Sequence, residues 1–197
     1  MNHLLVLRTS VNGANSYSNK LVDEFVARQR ARWPGLKVTE RDLNAQPVPP
    51  LNDQTVGAIR AGVADTEERR AAIALSDTLV AELKAADAIV IGLPRYNFSV
   101  PASFKAYVDY IGRAGVTFKY TDAGPQGLLP DVPVYAFVTS GGAYAGTDND
   151  QMSGWVKQVL GFLGLRQLHL IHAERLAFAA EDGMKQAREQ LEEAAAA

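Results

Sequence analysis

The sequence predicts an α/β protein: a doubly wound five-stranded parallel sheet with helices on both faces. Short apolar runs typical of strands alternate with longer segments of helical period, and each right-handed crossover then packs its helix on the sheet. Residues 88–93 (AIVIGL) have no polar side chain, as expected of a central strand covered on both faces. The 197 residues, 47% of them hydrophobic, predict one domain spanning residues 1–197.

The first third of the chain predicts a strand, a helix and an edge strand. Residues 3–8 (HLLVLR) form an apolar run, and the apolar positions of residues 17–33 recur at helical spacing. Residues 36–43 (LKVTERDL) alternate as an edge strand does, whereas the prolines of residues 45–50 continue neither element. Residues 54–65 show no clear period, so no element is predicted there.

The rest of the chain continues the alternation. Residues 66–86 are rich in good helix formers, and Pro94 ends the strand that follows them. Residues 116–129 (VTFKYTDAGPQGLL) predict an extended arm with a Gly-Pro turn. The remaining predicted elements are helices at residues 101–113, 151–163 and 181–193 and strands at residues 132–139 and 167–173. The prediction is therefore five strands and five helices.

The composition narrows the possible partners and chemistry. A formal net charge of -2 gives no concentrated basic surface for nucleic acid or an anionic membrane. The chain has no cysteine, which excludes disulfides, thiolate metal sites and a cysteine nucleophile, so redox chemistry requires a bound cofactor. The apolar run at residues 4–7 is too short for a signal-peptide core and no window approaches a membrane span, so a cytoplasmic location is predicted.

Three loops should meet at one edge of the sheet, because ligands of such sheets bind beyond the carboxyl ends of the strands. The first loop, residues 9–19 (TSVNGANSYSN), places hydroxyl and amide groups before a helix N-terminus, where backbone N–H groups favour a phosphate. It lacks GxGxxG and GxxxxGK[ST], so a monophosphate is favoured over a dinucleotide or a triphosphate. The same residues also make an ordinary helix cap.

The second and third loops supply other features of a ligand site. Residues 94–98 (PRYNF) offer aromatic faces and amide groups to a flat heteroaromatic ring, although they also fit a plain turn with Tyr96 and Phe98 in the core. Residues 139–144 (TSGGAY) contain adjacent glycines whose N–H groups can approach a ligand closely, or that simply form a flexible connection.

Several motifs together resemble the FMN-dependent NAD(P)H azoreductase and quinone reductase family. They are LVLRTSV with SYSN, RDL with P-x-P, ALSD with ELKAAD, P-x-YNF, RAGVTFKYTDAGPQGL, GG-x-Y and LGFLG, and they extend over nearly the whole chain. The resemblance implies a flavodoxin-like fold and a homodimer that binds FMN. It also implies that NADH or NADPH reduces a quinone or an azo compound by a two-electron, ping-pong reaction.

The resemblance also assigns roles to individual residues. The FMN phosphate would be held by Ser10, Ser16, Tyr17 and Ser18, and the isoalloxazine ring by Pro94, Tyr96, Asn97 and Phe98. Its pyrimidine side would lie near Thr139, Gly141, Gly142 and Tyr144. Phe118 and Tyr120 would cover the pocket of the neighbouring subunit, and the residues that position substrate would be Tyr96, Asn97 and Phe118.

Two of the cofactor-binding positions depart from the family pattern. The family commonly has methionine where Arg95 stands and often arginine where Ser140 stands. A fixed charge replaces a soft apolar contact at residue 95, so we hypothesise that Arg95 shifts the flavin potential or the choice between NADH and NADPH.

Two other functions compete with a reductase. A flavodoxin-type electron carrier would also bind FMN, but such carriers are usually strongly acidic, whereas this chain has a formal net charge of only -2. The long arm after residue 113 also argues against a carrier. A phosphodiester hydrolase would need a metal cluster or an acid–base pair. His169 and His172 lie three apart on a strand and so on opposite faces, and Asp148 and Asp150 are better explained as helix caps, so no metal site is predicted.

Overall fold

The computed structural model describes residues 1–196. Five parallel strands form one sheet, and they are numbered with the two strands of a separate hairpin in chain order. The sheet strands are β1 (His3–Arg8), β2 (Lys37–Asp42), β3 (Ala88–Pro94), β6 (Val134–Thr139) and β7 (Leu168–Ala173). Their order across the sheet is β2-β1-β3-β6-β7, and every neighbouring pair is parallel. The predicted five-stranded parallel sheet is therefore confirmed.

Helices cover both faces of the sheet, as predicted. They are α1 (Tyr17–Arg32), α2 (Asp53–Ala61), α3 (Glu67–Ala85), α4 (Ala102–Ile111), α5 (Gln151–Leu163) and α6 (Ala180–Ala196). One core contains the buried faces of α1 and α6, and the other contains residues of α2, α3, α4 and α5. The central strand β3 supplies both cores, because Val90 points to the first and Ile89 and Ile91 point to the second.

The prediction of five helices was wrong, since residues 1–196 contain six α-helices. The additional helix α2 lies where no period was visible, because only Thr55, Ala58 and Ile59 of its nine residues are buried. Its start carries a capping box, in which the Asn52 side chain accepts from the backbone of Thr55 and the Thr55 side chain accepts from the backbone of Asn52. The local signal available in the sequence was Asn52, a favoured N-cap residue followed by the acidic Asp53, whereas Thr55 is not the Glu or Gln of the usual capping box.

The predicted arm forms a hairpin of two antiparallel strands, β4 (Phe118–Thr121) and β5 (Gly124–Gly127). The turn lies at residues 122–123, so the Gly-Pro pair begins β5 and does not form the turn that was predicted. The Phe118 ring lies 4.4 Å from that of Phe162, which attaches the hairpin to α5. None of the helices in residues 1–196 is long and apolar enough to cross a membrane.

The order of the strands determines where a ligand site forms. From β1 the chain runs outward to β2, whereas from β3 it runs across the sheet to β6 and β7. The connections that leave β1 and β3 therefore diverge and leave a crevice at the carboxyl ends of these two neighbouring strands.

Candidate functional site

A cleft of about 260 Å³ lies at the carboxyl edge of β1, β3 and β6. The structure brings nine of the predicted residues to its walls: Ser10, Ser16, Tyr17, Pro94, Arg95, Tyr96, Thr139, Ser140 and Gly141. The wall also contains Asn12 and two residues that the sequence analysis missed, Leu176 and Ala177. The convergence of three loops on one cleft was predicted from the parallel order of the strands.

The start of α1 forms one end of the cleft. Ser16 is the N-cap, and its Oγ accepts the N–H of Asn19 at 3.2 Å. The Oγ atoms of Ser16 and Ser18 lie 3.0 Å apart, and both residues are buried. Ser16 lines the cleft, whereas Ser18 does not line it and contacts the hydroxyl of Ser16 instead. Since the first N–H groups of a helix have no acceptor within the helix, this end of the cleft favours an anion.

The hydroxyl of Tyr96 connects two of the loops. Its oxygen lies 3.1 Å from Oγ of Ser10 and accepts the N–H of Val11 at 3.3 Å. Oγ of Ser10 in turn accepts the N–H of Asn12 at 3.2 Å. Tyr96 is thus a wall of the cleft whose polar atom holds the first loop in place.

A tight turn follows Tyr96. The backbone groups of Tyr96 and Ser99 bond each other in both directions at 3.0 Å, and the residues between them, Asn97 and Phe98, have φ angles of 48° and 68°. Two consecutive positive φ values characterise a type I′ turn, and they are uncommon for residues other than glycine. Phe98 is 67% exposed, so the alternative that it belongs to the core is wrong. Strained turns of this kind are typical of ligand sites.

The loop after β6, residues 140–145, which we call the glycine loop, is held by a fourth loop that the sequence analysis did not consider. Oε1 of Glu174 accepts the N–H groups of Tyr144 at 2.6 Å and Ala145 at 2.8 Å. The backbone N–H groups of Arg175 and Leu176 bond the carbonyls of Gly142 and Ser140 at 3.0 and 3.1 Å. Glu174 follows β7, whose carboxyl end lies at the same edge as that of β6, so the parallel order could have indicated it.

We expect Glu174→Ala to lower the free energy of unfolding by about 1–2 kcal/mol, because two half-buried N–H groups would lose their acceptor. Urea unfolding measures the change. The control is Glu174→Gln, which retains an oxygen acceptor at the same distance and should cost less. Equal unfolding midpoints for the alanine variant and the unmodified protein would contradict this role.

Arg95 makes a buried ion pair. Its Nη2 lies 2.5 Å from Oδ1 of Asp150, and the two side chains are 3% and 9% exposed. Burial by itself would raise the pKa of Asp150, but hydrogen bonds from Arg95 and Ser153 outweigh burial and hold that pKa below its ordinary value. Asp150 accepts the N–H of Ser153 at 3.3 Å, so its predicted role as a helix cap is confirmed.

Neither His169 nor His172 lines the cleft. The ring of His169 stacks on that of Tyr135 with centroids 5.0 Å apart. Burial lowers the pKa of His172, against the opposing effect of Asp150 and Glu174. No group of three or more His, Asp or Glu side chains in residues 1–196 is placed to hold a metal ion.

Phe118 and Tyr120 lie away from the cleft. They line a second cavity, of about 540 Å³, together with Val108, Val159 and Phe162. Asn97, Phe98, Gly142 and Tyr144 adjoin the cleft without lining it, although the rings of Phe98 and Tyr144 pack edge to face at 5.9 Å. The roles predicted for these residues toward a ring or a neighbouring subunit stay predictions.

The sheet order and the cleft define a flavodoxin-like α/β protein with a ligand site at the switch point of the sheet. A family model described as a flavodoxin-like fold matches residues 2–196. The chain therefore belongs to this flavodoxin-like family, which confirms the predicted fold class.

Individual relatives agree with the resemblance seen in the motifs. An FMN-dependent NADH:quinone oxidoreductase of Bordetella avium is 45% identical over 194 residues, which cover 96% of each chain. A protein of the same name from Shewanella amazonensis is 43% identical over 97% of this chain and 98% of its own. The structure of an FMN-dependent NADH-azoreductase from Bacillus anthracis in complex with FMN superposes with a TM-score of 0.87, at 26% identity, over 99% of this chain and 98% of its own.

Proposed function

We propose that this protein is an FMN-dependent NADH:quinone oxidoreductase that also reduces azo compounds. The observation that carries the proposal is that the start of α1, which favours an anion, the aromatic ring of Tyr96 and the glycine loop all meet at one cleft. The relatives named for FMN, NADH and quinone reduction support it over a flavodoxin-type electron carrier. We propose NADH, and not NADPH, as the electron donor, because those relatives are named for NADH.

The residues present fit FMN. Ser16 and the first N–H groups of α1 would hold the phosphate without any lysine or arginine. Pro94 and Tyr96 would lie along the ring, and the N–H groups of Gly141 and Gly142 would meet its polar edge. Arg95 adds a buried positive charge beside the cleft, and its Nε and Nη1 have no hydrogen-bond partner in the described part of the chain, so this charge is only partly compensated before an anionic cofactor binds.

The chemistry belongs to the cofactor. When bound, FMN would accept a hydride from NADH and deliver two electrons to a quinone or an azo compound. The chain's own residues would orient the ring, and the N–H groups of Gly141 and Gly142 would stabilise negative charge that develops at its edge. The donor and the acceptor would use the same open face in turn, so no side-chain nucleophile is required.

We expect Tyr96→Phe to weaken FMN binding about fivefold to tenfold, since it removes the hydroxyl that holds Ser10 and Val11 while retaining the aromatic face. One hydrogen bond is worth about 1 kcal/mol. Fluorescence titration with FMN measures the change. Tyr17→Phe is a matched control, because the exposed Tyr17 ring lines the same cleft. Unchanged FMN affinity in Tyr96→Phe would contradict the proposal that the Tyr96 hydroxyl holds the first loop in the position that binds FMN.

The assembly we propose is a homodimer in which the arm of one subunit covers the cleft of the other. Tyr120 is 75% exposed on the arm, and Phe118 lies at an apolar cavity whose surface a second copy would bury. Sedimentation at micromolar concentration tests this assembly, and a monomer would contradict it. We also propose a cytoplasmic location, a compartment that supplies NADH.

The visible spectrum of the purified protein, together with NADH oxidation, tests the proposed function. We expect flavin absorption bands that are released on denaturation, and steady-state NADH oxidation when a quinone is added. Protein that binds FMN but oxidises almost no NADH would favour the electron carrier. Folded protein that takes up no FMN at micromolar concentration would overturn both functions.

A further inference from the structure

The ion pair of Arg95 and Asp150 joins two parts of the site that are distant in sequence. Arg95 follows β3 and lines the cleft, and its backbone N–H bonds the carbonyl of Thr139 at 2.8 Å. Asp150 precedes α5, at the far end of the connection that begins with the glycine loop. The guanidinium carbon of Arg95 also lies 4.7 Å from the centre of the Tyr144 ring. The backbone of Arg95 is therefore fixed by Thr139, and its charged group is held by Asp150 and the Tyr144 ring.

The guanidinium group is only partly satisfied by these contacts. Nη2 bonds Asp150, but Nε and Nη1 are buried and have no acceptor within residues 1–196. An unpaired buried N–H group costs free energy. Because these nitrogens are buried in a side chain that is 3% exposed, the guanidinium group can act on a ligand in the cleft through its charge and not through direct hydrogen bonds.

We infer that Arg95 tunes the reduction potential of the cofactor in this cleft, and that Asp150 is a positioning residue that both fixes Arg95 and opposes its charge. This inference rests on the proposed function. Two-electron reduction makes the ring system more negative, so a fixed cation beside it favours the reduced form. The negative charge of the Asp150 carboxylate, next to Arg95, disfavours the reduced form. The two residues therefore contribute to the potential with opposite signs.

The same geometry argues against Arg95 as the residue that chooses between NADH and NADPH. Its side chain is 3% exposed, one of its nitrogens donates to Asp150, and its guanidinium carbon lies over the Tyr144 ring. The additional phosphate of NADPH would have to displace a carboxylate that is already bound. Of the two effects hypothesised for Arg95, the structure favours the effect on potential.

Two substitutions each remove one of the two charges, and Asp150→Asn does so while keeping the hydrogen bonds that position Arg95. Asp150→Asn removes the negative charge but retains an oxygen that can accept from Arg95 and Ser153, and asparagine is as good a helix cap as aspartate. Arg95→Met removes the positive charge and leaves the carboxylate. The two-electron potential of bound FMN is measured by equilibration with reference dyes at pH 8, and urea unfolding shows that each variant is folded.

We expect Asp150→Asn to raise the potential and Arg95→Met to lower it, each by about 30 mV, which is a tenfold change in the equilibrium constant of a two-electron couple. The double variant should lie between them. Shifts of the same sign, or no shift, in folded variants that bind FMN would overturn the inference and leave the proposed function intact. If Arg95→Met does not fold, the sign of the shift in Asp150→Asn decides alone. An unmodified protein that binds no FMN would overturn both.

Discussion

Ser16→Asp is expected to lower the affinity for FMN about 100-fold without unfolding the protein. Aspartate caps a helix as well as serine does, so the start of α1 should keep its hydrogen bond to Asn19. The new carboxylate, however, would face the phosphate that we propose to bind there. Two unit charges about 4 Å apart repel by about 4 kcal/mol at an effective dielectric constant of about 20. Water at the open cleft reduces this, and about 2.7 kcal/mol corresponds to 100-fold.

Two controls make this experiment specific. Ser16→Asn has the same size and capping ability as Ser16→Asp but no charge, so it should bind FMN far more tightly. Riboflavin, which lacks the phosphate, should bind the aspartate and asparagine variants equally. If both variants bind FMN with the same affinity, the phosphate does not lie at the start of α1.

Gly127→Ala is expected to lower the free energy of unfolding by about 3 kcal/mol, the upper end of the usual cost of overpacking. A Cβ on Gly127 would lie 2.2 Å from the backbone nitrogen of Gly164 and 2.4 Å from its Cα. These are backbone atoms just after α5, where Gly164 itself has a φ of 111°, so neither side can easily move. The hairpin of β4 and β5 would have to move away from α5.

Gly154→Ala is the matched control for the hairpin variant. Gly154 lies within α5, the helix whose end Gly127 contacts, and a Cβ there would meet no atom within 4 Å. Alanine in place of glycine within a helix should stabilise the protein by about 0.5–1 kcal/mol. Urea unfolding of both variants measures the effects. Equal midpoints for Gly127→Ala and the unmodified protein would mean that the hairpin is not held against α5 in solution.

Part of the site followed directly from the sequence. Apolar runs and their spacing identified all five strands of the sheet, and the parallel order placed the loops after Arg8, Leu93 and Val138 at one edge. The serines at the start of α1 and the adjacent glycines after β6 are local signals, because a helix cap or a close backbone approach depends on a few neighbouring residues. Such signals are visible without knowledge of the packing.

The sequence by itself thus determined the sheet, its loops and the residue types at the edge of the cleft. Only the tertiary structure decided how those residues act together. Tyr96 holds Ser10 across 86 positions, Arg95 pairs with Asp150 across 55, and Glu174 holds Tyr144 across 30. Periodicity reports which face of an element is buried, but it carries no information on which distant side chains meet. That depends on the packing of neighbouring strands and their loops, which exists only in the folded chain.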